Sequence, residues 1–144
     1  MNSKHKTATL RCARGFLIAT LLGSAASASA YEIKLELSGG QEVPAVSTAA
    51  SGSGSLFVNA NKQISGALST TGFAGTMAHI HMGAAGKNGP VAIPLIKAGD
   101  ANWTVPAGST LSDEQYAAYK TGELYVNVHS VAHPGGEIRA QIKP

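Results

Sequence analysis

Thiols are almost absent from this sequence: Cys12 is the only cysteine in 144 residues. No disulfide scaffold can be built from it, and thiolate metal chemistry is excluded from everything that follows it. Charge is sparse as well, with 13% of residues ionised and aromatics at 6%. The longest apolar stretch, Gly15 through Leu22 and on into Ala26, is short of the roughly 20 residues a membrane-spanning helix needs. With Lys4, Lys6, Arg11 and Arg14 before it and Ala28-Ser29-Ala30 after it, residues 1–30 have the three-part layout of a cleaved secretory signal. The expected product is residues 31–144, a periplasmic or secreted protein with no membrane insertion once the signal is removed.

Four of the eleven Lys and Arg residues lie in that leader, leaving seven against eight acidic ones. The high sequence pI therefore belongs to the leader, and a mature chain near neutrality offers nucleic acid no electrostatic footprint. Residues 31–144 are enough for one domain and too few for two independent cores.

Tyr31 to Leu37 alternates polar and apolar residues up to Gly39-Gly40, the pattern of a half-buried strand. The Ser, Ala and Gly-rich stretch from Ala45 to Ser55 reads as a loop leading into Leu56-Phe57-Val58. Asn59 to Lys62 reads as a hairpin turn, with Gln63 to Ser69 returning. Met77 to Met82 is a strand, followed by a loop on Gly83, Gly86 and Gly89. Val91 to Leu95 carries Pro90 and Pro94, which point to an edge strand or an irregular extended piece. The chain around Trp103 is extended. One stretch is helical, near residues 112–121, with Ser112 as cap, Gln115 completing a capping box and Gly122 as the stop. Glu123 to His129 and Glu137 to Ile142 alternate, joined by His133-Pro134-Gly135-Gly136, which suits a type II turn. Short strands, frequent glycine turns and one short helix predict an all-β fold, an antiparallel Greek-key β-sandwich or barrel.

The histidines beyond the leader are confined to two clusters, His79-Ile80-His81 and His129-Ser130-Val131-Ala132-His133. Imidazoles that share a cation must converge, and these sit on two separate strands. Residues two apart on a strand are roughly 6.5 to 7 Å apart along the chain, a gap that imidazoles bonding one metal at about 2 Å can close. Strand alternation puts Met77, His79 and His81 on one face, with Ala78, Ile80 and Met82 opposite. It puts Tyr125, Asn127 and His129 opposite Leu124, Val126 and Val128, and Glu137, Arg139 and Gln141 opposite Ile138, Ala140 and Ile142. The candidate metal ligands are His79, His81, His129 and His133; the last is either a fourth ligand folding back or a surface loop residue. Met77 offers either a soft thioether or a hydrophobic plug. Tyr125, Asn127, Glu137 and Arg139 are candidates for supporting groups or for an ordinary solvated sheet face. Gly83, Gly86 and Gly89 do not form a phosphate loop, because Lys87 is followed by Asn88. No catalytic constellation stands out, so a binding protein is expected ahead of an enzyme.

Ala78-His79-Ile80-His81-Met82-Gly83, Gly86 and Gly89-Pro90-Val91, Leu124 to His129, and Pro134-Gly135-Gly136-Glu137-Ile138-Arg139, with Gln41-Glu42-Val43-Pro44 near the start, closely resemble the CHRD domain family. The resemblance implies an extracellular β-sandwich. His79, His81 and His129 match the family pattern, whereas His133 falls where that pattern varies. The His-x-His strand with its Gly-rich loop is loosely similar to copper–zinc superoxide dismutases, but the bridging histidine, remaining zinc ligands and cysteines of those enzymes have no counterparts.

Three functions follow as expectations. The first is an exported metal-binding domain, copper preferred and zinc second, in which an imidazole-rich site without carboxylates serves copper storage, delivery or tolerance. The second is a β-sandwich interaction module whose partner, outside the cytoplasm, is a protein or a cell-surface polymer, with no cofactor and with the histidines incidental or structural. The third is a copper-dependent superoxide dismutase.

Overall fold

In a computed structural model, which describes residues 31–144, the chain forms nine strands and, among the described residues, one α-helix. The expected signal segment, residues 1–30, and Cys12 lie outside the described residues. The strands are β1 (Tyr31–Ser38), β2 (Ser51–Val58), β3 (Ile64–Thr71), β4 (Gly75–Met82), β5 (Val91–Pro94), β6 (Ile96–Lys97), β7 (Asn102–Thr104), β8 (Leu124–Ser130) and β9 (Ile138–Ile142), with α1 (Asp113–Lys120) between β7 and β8. They make one sheet, ordered β5-β4-β8-β9-β1-β2-β3-β7-β6, with antiparallel pairing throughout.

The sheet rolls into a nearly closed barrel because its two edge strands are consecutive in the chain. β5 pairs with β4, and after Leu95 the chain becomes β6 and pairs with β7. Pro94, which has no N–H to donate, falls at the changeover, and Leu95 N–H reaches back to the Ala78 carbonyl at 2.9 Å. The prolines thus mark an edge strand, as their placement predicts.

Period-two alternation determines what fills the barrel. Ile33, Leu35 and Leu37 of β1, Leu56 and Val58 of β2, Ile64 and Leu68 of β3, Ala78 and Ile80 of β4, Leu124, Val126 and Val128 of β8, and Ile138, Ala140 and Ile142 of β9 are all buried, together with Trp103. Burying one such aliphatic side chain contributes about 1.5 to 3 kcal/mol. The helix carries the predicted capping box: Ser112 Oγ accepts from Gln115 N–H, and Ser112 N–H donates to Gln115 Oε1. Lys62 pairs with Asp113 in its first turn.

Three expectations are corrected. The small-residue stretch before Leu56 is not loop up to Ser55, since β2 begins at Ser51 and runs in register with β1 and β3. Its glycines are there for close approach: a Cβ on Gly54 would lie 2.6 Å from Leu68 Cα. The turn after β8 does close, with Gly136 N–H donating to the His133 carbonyl at 3.1 Å. Gly135, however, is not among the positive-φ glycines, and a type II turn requires φ above zero at that position.

The largest correction concerns the sheet face that carries the histidines. It is polar but largely buried, apart from the β4 positions Met77 and His79: all seven residues of β8 are buried, and Arg139 on β9 is 1% exposed. The β1–β2 and β4–β5 connections fold over this face. Arg139 donates to the Ala84 carbonyl and to Gln141 Oε1, Gln141 donates to the Gly83 and Gly122 carbonyls, Asn88 donates to the Val43 carbonyl, and Thr48 donates to Glu137. The barrel therefore has an apolar inside and, on this flank, a second buried layer tied together by hydrogen bonds, in which Glu42 Oε1, Asn127 Oδ1 and His81 Nε2 have no partner.

Candidate metal centre

β4 and β8 are neighbours in a register that opposes Met77 to His129, His79 to Asn127 and His81 to Tyr125. Directly opposed residues share a face, so His129 is diagonal to His79, within reach of a long side chain. The rings meet as this register requires. Ring centres of His79 and His129 are 5.0 Å apart, those of His79 and His81 5.5 Å, and those of His81 and His129 6.3 Å. One nitrogen from each ring can be chosen so that all three lie within 4.8 Å of one another.

Two of the rings are held by backbone carbonyls. His81 Nδ1 lies 2.9 Å from the Gly89 carbonyl and His129 Nδ1 lies 2.9 Å from the Pro134 carbonyl. A carbonyl only accepts, so Nδ1 carries the proton in both rings and the lone pair sits on Nε2. His129 Nε2 accepts from His79 Nδ1 at 3.0 Å. His81 Nε2 is buried without a hydrogen-bond partner, an arrangement that costs free energy unless something occupies its lone pair. Outer-sphere carbonyls of this kind orient the imidazoles of metal sites.

The electrostatics favour the neutral form of His79 and His129. Burial pushes the His79 pKa below its ordinary value, and the neighbouring His129 and His81 push it the same way. Burial likewise lowers His129, opposed by its bond to the Pro134 carbonyl. Neutral imidazoles present lone pairs rather than protons. Three imidazoles whose nitrogens converge, with no carboxylate in the group, have the chemistry of a zinc or copper site.

Beneath His81 the structure continues as a stack. The Tyr125 ring is parallel to His81, 4.8 Å away and 5° from coplanar, and the Arg139 guanidinium lies 3.5 Å from the centre of the other Tyr125 face. Tyr125 Oη accepts from Gly89 N–H at 3.2 Å. One residue therefore supports both the ring and the loop that holds it. Gly89 has no room for a side chain, since a Cβ would lie 2.8 Å from the Met82 carbonyl carbon. Behind the stack, the buried Glu42 carboxyl is pushed up to about 6 by desolvation, against the opposing pull of Arg139.

Of the four candidate histidines, His79, His81 and His129 come together and His133 does not join the group. The backbone of His133 is committed to the turn, its N–H donating to Ser130 Oγ and its carbonyl accepting from Ser130 and Gly136. Met77 is 50% exposed beside His129 and so is not a buried plug. The Gly89 and Pro134 carbonyls escaped the sequence reading because a backbone acceptor has no residue signature. Burial of Tyr125, Arg139 and Glu42 escaped it because only loops from elsewhere in the chain impose it.

The model of the CHRD domain matches residues 33–142, nearly the whole span from β1 to β9. The chain belongs to the CHRD family. CHRD domains are typically extracellular, and no described helix is long and apolar enough to cross a membrane. Neither a curated protein nor a solved structure gives a significant match, so the reading of this CHRD domain's site rests on its own geometry.

Proposed function

We propose that this CHRD domain is an exported metal-binding protein, copper preferred and zinc second, serving copper storage, delivery or tolerance. The observation that carries the proposal is the trio itself: nitrogens of His79, His81 and His129 lie within 4.8 Å of one another, and His81 Nε2 is buried with no partner. In this reading His81 and His129 bind through Nε2. His79 binds through Nδ1 after its proton moves to Nε2, and the metal replaces the hydrogen bond between His79 and His129. The tetrahedral spacing of nitrogens around a metal at about 2.0 to 2.1 Å is about 3.3 Å. The 3.0 Å contact between His79 and His129 is already near that value, and modest rotation of the rings brings in the third. Irving–Williams ordering favours copper over zinc at an imidazole site. The leader at residues 1–30 supports export.

Calorimetric titration of residues 31–144 with Cu(II) and Zn(II) tests the proposal, with a His79→Ala, His81→Ala double variant as control. One equivalent bound by the wild type and none by the variant is the expected result. Wild-type affinity no better than that of an unstructured histidine peptide rejects it. A second reading, a metal-free module binding a protein partner outside the cytoplasm, draws support from the family match and would be left standing by that outcome.

A further inference from the structure

The trio provides three nitrogens and leaves its outer side open. His79 is half-buried while His81 and His129 are buried, so any metal held between them faces outward past His79. The side chain at that opening is Met77. It is two residues before His79 on the same face of β4, and its Cα is the direct cross-strand partner of His129. Directly opposed residues have Cβ atoms about 4.5 to 5.5 Å apart. A flexible thioether started from there can reach a ligand position beside the His129 ring. At 50% exposure Met77 contributes little to the core, and the register irregularity between Gly75 and Met77 is a local device of the kind that re-aims a side chain.

The charge around the site points the same way. The trio has no carboxylate, and a thioether is neutral, so no ligand offsets the charge of the metal. Behind His81 lies a buried cation, the Arg139 guanidinium, one aromatic layer away across Tyr125. A neutral donor set disfavours a dication relative to a monocation, the Glu42 carboxyl offsetting Arg139 behind it, and thioether sulfur selects Cu(I) among the metals imidazole accepts.

We infer that Met77 is the fourth ligand of the site and that the form of the metal it is built to hold is Cu(I), bound by three imidazole nitrogens and one thioether at the protein surface. This rests on the three-histidine reading above. A soft ligand at the exposed mouth would also be the first to exchange, which suits passing the ion to a second thioether or thiol donor.

The test uses residues 31–144 under anaerobic, reducing conditions. Cu(I) affinity is measured by competition with a chromophoric Cu(I) chelator, Zn(II) affinity is measured in parallel, and X-ray absorption is recorded on the Cu(I) form. The variants are Met77→Leu, similar in volume at an exposed position, and His79→Ala. A sulfur scatterer at about 2.3 Å in the wild type, lost in Met77→Leu, with Cu(I) affinity falling at least tenfold more than Zn(II) affinity, supports the inference. Metal binding that depends on His79 but shows no sulfur shell, or an equal change for both ions in Met77→Leu, overturns the role of Met77 and leaves the trio intact. Failure of the wild type to bind either ion removes the trio and this inference together.

Discussion

Tyr125→Phe isolates a single link in the site, because it deletes the hydroxyl that accepts from Gly89 N–H while leaving the ring stacked between His81 and Arg139. The Gly89 N–H would then lose its partner in a half-buried loop, at a cost of about 1 to 2 kcal/mol. The Gly89 carbonyl is also the acceptor for His81 Nδ1, so a looser loop releases the ring that presents Nε2. Loss of an outer-sphere partner of a metal-bound histidine lowers affinity about 10- to 100-fold, and the lower end is expected here because only the hydroxyl goes. Tyr125→Leu also removes the ring. Losing a desolvated cation–π contact of about 2 kcal/mol and opening a cavity under Arg139, which is 1% exposed, puts its cost at about 3 to 5 kcal/mol. Urea unfolding of the metal-free proteins measures the first quantity and Zn(II) calorimetry the second. A Tyr125→Phe protein that binds Zn(II) within twofold of wild type, despite the expected loss of stability, would refute the argument that the loop orients His81.

Further outcomes follow from the same geometry. His129→Ala is expected to lower metal affinity at least 100-fold by removing both a ligand and the partner of His79, whereas His133→Ala, outside the trio, should change it less than twofold; comparable losses would bring His133 back as a ligand. Glu42, raised from 4.5 to about 6 by burial, takes up its proton more readily folded than unfolded. Its contribution is therefore fully present below about pH 4.5 and is lost as the pH rises through about 6, up to about 2 kcal/mol. Glu42→Gln should flatten that interval in a stability profile of the metal-free protein, and an unchanged profile would count against a strained carboxyl there. Gly54→Ala should cost at least about 3 kcal/mol, because its Cβ would crowd Leu68 Cα at 2.6 Å on the paired strand; thermal unfolding within 1 °C of wild type would show that β2 and β3 can part without penalty.

Much of the barrel is written in short-range pattern. Alternation in Tyr31–Leu37, in Leu124–His129 and at Ile138–Ile142 names the strands and their core faces, because a pleated backbone sends successive side chains to opposite sides. Ser112 with Gln115 names the helix start through two local hydrogen bonds. Even the pairing of His79 with His81 follows from period two. The start of β2 was not legible, since its small residues answer to the closeness of Leu68, a neighbour supplied by pairing.

What the residues alone determined is which side chains face the core and which two histidine clusters could meet. That information lies within a few residues of each position. What only the tertiary structure decided is the register that sets His129 diagonal to His79, the covering of the polar face by two distant loops, and the Gly89 and Pro134 carbonyls that direct the lone pairs. Those depend on contacts between remote parts of the chain and on backbone atoms that every residue possesses, so no pattern of residue types records them.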